Sequence, residues 1–178
     1  ILNIDGYFSR IYDQKLIQNS WIYKKEISGG GRFFDISPHI LDVLYYIFGE
    51  FKNIKSNVLY EQKEHNCESN VIAEFQMQNI PCKLHFDLNA TSDKDILLIK
   101  CYNKNIKTSI NRDSTIYILN KNNKIIKKYS FPKTKVWGLE AVKELDKLIF
   151  DKKYNHNIAS LKDAYIIQNY IDDILKER

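Results

Sequence analysis

Between Ser28 and Asp42 the sequence reads Ser-Gly-Gly-Gly-Arg-Phe-Phe-Asp-Ile-Ser-Pro-His-Ile-Leu-Asp, and this stretch holds the residue types best suited to chemistry. Asp35 and His39 are four positions apart and Asp42 lies three further on. On a helix all three project from one face while the aliphatic side chains line another. A carboxylate beside an imidazole fixes its tautomer and raises its basicity, and an unperturbed histidine titrates at about pH 6.5, where proton transfer near neutrality is easiest. The glycines just before them, Gly30 and Gly31 in particular, let the backbone approach a ligand or cofactor closely because no Cβ intervenes. The arrangement suits a proton-handling site beside a ligand-approach loop. The same spacing also suits an ordinary surface or capping pair. A metal site built from the three is chemically possible, but the first two need not converge with the third and no companion His or Cys stands near. His65, His85 and His156 are isolated and read as surface or sheet-face residues.

The elements that must position these residues follow from periodicity. Residues 1–10 alternate as a strand does, and residues 11–28 read as an irregular approach to the glycines. From Phe33 to Phe48 the apolar residues Phe33, Ile36, Ile40, Val43, Leu44, Ile47 and Phe48 recur at three- and four-residue steps, which predicts a helix capped by Gly49 and kinked at Pro38. From Phe51 to about Phe131 the period becomes two. Cys67, Ser69, Val71, Ala73, Phe75 and Met77 fall on one side of a strand, with Glu68, Asn70, Glu74 and Gln76 on the other. Leu84, Phe86 and Leu88 repeat the pattern against Lys83, His85, Asp87 and Asn89, and further strands are predicted near 54–62, 95–102, 105–110, 114–120 and 124–130. Two helical stripes close the chain, Val136 to Ile149 and Leu161 to Leu175, the second starting at a capping-box-like Ser160 and Asp163. The order predicts an α+β fold. It is a mostly antiparallel open sheet with helices packed on one face and the other face available for dimerisation, all within one domain over residues 1–178.

Composition removes several alternatives. The chain has 178 residues, 44% hydrophobic and 13% aromatic, which is enough to build a core and too apolar for disorder. The formal charge of +5 comes from lysines scattered in ones and twos, so the surface reads as solvated and not as a nucleic-acid footprint. No apolar run approaches the roughly 20 residues of a membrane span, and the N-terminus carries no basic-then-apolar leader. Cys67, Cys82 and Cys101 lack paired metal-site spacing and read as reduced thiols of a cytoplasmic protein. With only six glycines, three of them adjacent, neither a dinucleotide fingerprint nor a phosphate loop can be assembled. The chain opens at Ile1 on a strand-like run and reads as part of a longer protein.

The pattern GGG-x3-D-x3-H-x2-D, followed by an apolar helix ending at Gly49, resembles the C-terminal-domain signature of the Gfo/Idh/MocA family. These are the NAD(P)-dependent enzymes that include glucose-fructose oxidoreductase and inositol dehydrogenase. Trp21 lies shortly before the glycines, as in many members, and Ser160-Leu-Lys-Asp-Ala164 resembles the family's closing segment. The resemblance implies a two-domain enzyme of which this is the second half. An absent N-terminal Rossmann domain would bind most of the NAD or NADP and supply a lysine from a Glu-Lys-Pro motif. Asp35 and His39 match the family's active-site positions, with His39 as general base and Asp35 orienting or assisting it during oxidation of a secondary alcohol of a sugar, cyclitol or related substrate. Arg32 and Trp21 are candidates for substrate contact, Trp137 for the pocket, and the isolated chain is expected to be inactive. The other readings are a ligand-sensing protein of the same fold, and an assembly module that dimerises through the sheet face carrying Tyr117, Tyr102 and His85.

Overall fold

A computed structural model describes residues 1–11, 20–21, 24–60, 67–110, 113–132, 139–151 and 159–176. Strand β1 (Asn3–Ile11) is followed by a one-turn helix, α1 (Lys25–Ser28), and by α2 (Arg32–Phe48). Seven more strands come next: β2 (Phe51–Tyr60), β3 (Glu68–Met77), β4 (Ile80–Ala90), β5 (Lys94–Lys100), β6 (Asn105–Thr108), β7 (Thr115–Leu119) and β8 (Ile125–Ser130). Helices α3 (Leu139–Phe150) and α4 (Leu161–Leu175) complete the described residues. Trp137, His65 and His156 lie outside them. No helix among the described residues is long and apolar enough to cross a membrane.

The strands form one sheet in the order β2-β3-β4-β1-β5-β6-β7-β8. Every neighbouring pair is antiparallel except β1 with β4. The sheet is therefore two meanders joined by the first strand, with Ile4 opposite Cys82 on one side and Ile99 on the other. The two-residue period sends Ile4, Phe8, Val71, Ala73, Phe75, Leu84, Phe86 and Leu88 to the helix side, where they are buried. Against them α2 lays Phe33, Ile40, Leu41 and Leu44, all fully buried. Each such side chain contributes about 1.5–3 kcal/mol of hydrophobic stabilisation. Pro38 sits inside α2, where its ring removes the amide that would have donated to the Phe34 carbonyl. The helix ends where Gly49 turns to φ 78°, a left-handed value that favours glycine.

Helix α4 packs through Ile167, Ile171 and Ile174. Tyr170 stacks on Phe51 at 4.4 Å and its hydroxyl accepts the Phe51 N–H at 3.1 Å, while the Ser56 hydroxyl donates to the Ile174 carbonyl at 2.5 Å. Its capping box is complete: Ser160 Oγ accepts from the Asp163 N–H at 3.2 Å and Asp163 Oδ2 accepts from the Ser160 N–H at 2.8 Å. Helix α3 departs from the expectation that both closing helices pack on the sheet. It forms where its periodicity predicts, but Val142, Leu145 and Ile149 on its apolar stripe are exposed. Periodicity fixes a helix and its stripe; what covers the stripe depends on the surfaces within reach.

The three cysteines form no disulfide; Cys67 and Cys82 are buried, and burial pushes the Cys82 thiol far above the ordinary cysteine range.

Candidate functional site

The face of α2 that bears Asp35 and His39 is fixed at the helix start. Gly31 is its N-cap residue and has no side chain with which to satisfy the free amides there. A carboxylate from another element does part of that work: Glu68 Oε2, at the first residue of β3, accepts the Gly31 N–H at 2.7 Å in a buried contact. A negative charge there also meets the positive end of the helix dipole. The sequence alternation puts Glu68 on the polar side of its strand, and the structure corrects this. The β2–β3 register shifts between Leu59, paired with Asn70, and Tyr60, paired with Glu68, so Ser69 is passed over and Glu68 is buried.

The glycine loop is packed tightly against the chain's own groups. A Cβ on Gly30 would fall 2.1 Å from the Phe34 ring, and one on Gly31 would fall 2.5 Å from Glu68 Oε2 and 2.7 Å from Cys67 Cβ. The close approach that these two buried glycines permit is therefore accounted for inside the fold. The described residues offer no glycine-lined phosphate cradle and do not by themselves fit a dinucleotide.

One turn apart, Asp35 and His39 both reach the surface on the same side of α2. Asp42, one turn further, is half-buried. His39 and Asp42 open into a cleft of about 330 Å³ between α2 and α4, walled by Pro38, Ala164, Ile167 and Gln168. The Asp42 carboxyl is held above the ordinary carboxylate value, first by partial burial and then by the negative Asp163 across the cleft, with His39 pulling the other way. Asp163 itself is held below that value, chiefly by the Ser160 hydroxyl that bonds it. Asp35 does not line the cleft. Among the described residues no three His, Cys, Asp or Glu side chains gather as a metal site would require. Arg32 is half-buried and one arm of its guanidinium donates to the Ile11 carbonyl at 2.8 Å, tying the loop to the end of β1. Trp21 is 61% exposed. Glu68, Gln168 and the reach of Asp163 across to Asp42 are contributions that the sequence reading missed. A buried acid at a strand start and residues on a separate helix carry no local signal that joins them to α2.

The opposite sheet face is open and polar. The Tyr7 hydroxyl donates to Asp87 at 3.1 Å, His85 lies edge-on to Tyr7 at 5.0 Å and hydrogen-bonds Asn70 at 2.9 Å. Burial and then Asp87 raise the Tyr7 hydroxyl above its ordinary value. Further along, a concavity of about 680 Å³ is lined by Ile96, Leu98, Lys107, Tyr117, Leu119 and Ile125, among others. Tyr117 and His85 are thus on this face, whereas the exposed Tyr102 lies in the turn after β5.

Comparison with known proteins adds a lineage to this geometry. A family model described as GFO/IDH/MocA C-terminal domain matches residues 1–102, more than half of the chain. The chain is 29% identical over 157 residues to a protein of Formosa agariphila named Oxidoreductase P35, covering 86% of this chain and 46% of that protein. A solved levoglucosan dehydrogenase in complex with NADH and levoglucosan superposes with a TM-score of 0.78 at 15% identity, covering 98% of this chain and 55% of that one. The aldose-aldose oxidoreductase of Caulobacter crescentus, complexed with glycerol, superposes with a TM-score of 0.76 at 12% identity over 97% of this chain and 52% of that one. These two structures share the fold. The chain spans about half the length of the proteins it matches.

Proposed function

Because the chain belongs to the Gfo/Idh/MocA family through its C-terminal domain, we propose that it is the substrate-facing half of an NAD(P)-dependent oxidoreductase. The substrate would be a secondary alcohol of a sugar, cyclitol or sugar derivative. The observation that carries this reading is the placement of His39 and Asp35 on one exposed side of a helix whose other side is locked into the core. In that role His39 takes the hydroxyl proton as the alcohol is oxidised, and Asp35 orients or assists the imidazole. The hydride acceptor belongs to a nicotinamide nucleotide held by another part of the full-length protein. Arg32, in the first turn of α2, and Trp21, shortly before the glycines in the sequence, would flank the substrate. The names of the matched proteins, a levoglucosan dehydrogenase and an aldose-aldose oxidoreductase, support a sugar-like substrate. Three cysteines outside any disulfide support a reducing, cytoplasmic setting. The open sheet face, with Tyr117 beside its concavity, supports pairing of two copies.

The test is hydride transfer in the full-length protein, followed by nicotinamide absorbance with NAD and NADP against a panel of sugars, cyclitols and sugar nucleotides. His39→Ala is expected to lower kcat by about 10²- to 10⁴-fold, the usual contribution of one acid/base group. A near-normal rate would remove His39 from the mechanism, and absence of any hydride transfer across the panel would favour a ligand-sensing protein.

A further inference from the structure

The residues proposed to handle the proton lie on α2, whose N-cap residue, Gly31, has no side chain with which to cap the helix. Its N-terminus is held from β3, through the Glu68 carboxylate on the Gly31 amide at 2.7 Å. Glu68 is only 5% exposed. Burying a carboxylate is costly unless its bonds repay the lost hydration, and an acid at the third helical position, where Phe34 stands, would reach back to this amide as a capping box without that cost. The contact is also tight on both sides, since Gly31 has no room for even a Cβ between Glu68 Oε2 and Cys67. The same first turn is also held by close packing of Gly30 against the Phe34 ring. From Gly31 to Asp35 and His39 the helix rises about 6 and 12 Å, so a rotation or slip at its seat is carried directly into the direction of both side chains.

We propose that Glu68 is a positioning residue for Asp35 and His39: its buried carboxylate seats the start of α2 and so sets where that pair points. The proposal rests on the oxidoreductase reading of this site. Glu68 touches neither side chain and takes no proton in the reaction. Its effect is geometric, and displacement of a reacting group by about 1 Å costs on the order of 10²-fold in rate.

Two experiments test it. In the full-length protein, with whichever panel sugar the wild type turns over, Glu68→Ala is expected to lower kcat by about 10- to 100-fold while KM stays within about twofold. Glu68→Gln, which keeps an acceptor oxygen at the same reach, is expected to restore most of that loss. If Glu68→Ala does not fold, Glu68→Asp replaces it, because the charge remains but the reach is one methylene short. A folded Ala or Asp variant with wild-type kcat would overturn the proposal and leave Glu68 a stabilising residue only. Independently of turnover, backbone amide shifts of the 178-residue chain are expected to change in Glu68→Ala from Gly31 through His39, with faster exchange at Gly31. A change confined to Gly31 would also overturn it. The two readings fail separately: absence of hydride transfer by the wild type across the panel sinks the oxidoreductase assignment while the amide shifts still report the seat, and an inactive His39→Ala beside a fully active Glu68→Asp sinks the seat alone.

Discussion

The two ends of the sheet are made of the same kind of strand and live in different surroundings. In the half that runs from β2 to β1, Ile4, Val71, Ala73, Leu84 and Phe86 of β1, β3 and β4 are completely buried on the helix side, although β2 itself is mostly exposed. At the end formed by β5 to β8, only Asp95, Leu97, Thr115 and Leu119 are buried, and every residue of β8 is exposed. The covered end draws its stability from packed apolar area, which leaves little freedom for a helix lying on it. The other end is held by its backbone ladder and by partly exposed pairs such as Lys100 with Asp5 at 2.8 Å, a class worth about 0–1 kcal/mol. The candidate proton-handling pair rides on the stiff end, where geometry is kept. The adaptable end presents an open face instead.

The largest expected effect tests the covered end directly. Phe33 is fully buried and packs edge-on to Phe86 with ring centroids 5.0 Å apart. Phe33→Ala is expected to cost about 3–5 kcal/mol, read as a lower urea midpoint. Val142→Ala on the exposed stripe of α3 is the contrast and is expected to stay within about 0.5 kcal/mol of wild type. Similar losses at both positions would show that α3 is covered in solution and that the division between packed and bare surface is wrong.

Next in size is pairing through the open face. Sedimentation of this chain is expected to show a dimer, and Tyr117→Arg a monomer, since a central aromatic of an interface carries at least about 2 kcal/mol when it is a hot spot. A wild-type monomer would leave the open end bare in solution. A dimer that survives the substitution would place the interface elsewhere.

How much of this was legible in the sequence depends on whether the information was local. The α2 stripe apart from the exposed Ile47, its Gly49 stop, the Ser160–Asp163 capping box and the alternation of β4 are all written within one or two turns, and each stands in the structure. The insertion of β1 between β4 and β5 is not local. Nothing within Asn3–Ile11 distinguishes a central strand from an edge strand except that both ladders happen to be available. Glu68 shows the other limit: strict alternation assigned it to the polar side, and one passed-over residue, Ser69, reversed that. That Asp35 and His39 share one exposed side of α2 was legible from spacing, whereas the cleft that joins His39 and Asp42 to α4 required two helices separated by more than a hundred residues to meet.

A smaller effect concerns how α4 is anchored beside the site. Ser160→Ala removes the hydroxyl that accepts the Asp163 N–H and is expected to cost about 1 kcal/mol at neutral pH, measured by thermal melting. It also frees Asp163 from its strongest bond, so the negative charge facing Asp42 becomes less fixed.

The smallest effect is electrostatic, and its sign discriminates between the causes acting on Asp42. Its carboxyl lies above the ordinary value of 3.8 because of partial burial first and Asp163 second, while His39 opposes both. A carboxyl raised in this way binds more protons folded than unfolded, so stability falls as pH climbs from near 3.8 through the folded value and then levels off. Asp42→Asn removes the charge that causes this loss. The variant is expected to be modestly more stable than wild type at neutral pH, with the advantage shrinking to nothing as pH falls below 3.8, where both side chains are neutral. Urea midpoints at several pH values measure the difference. A variant less stable than wild type at neutral pH would show that attraction to His39 outweighs burial, making Asp42 and not Asp35 the carboxylate that chiefly holds the imidazole in place.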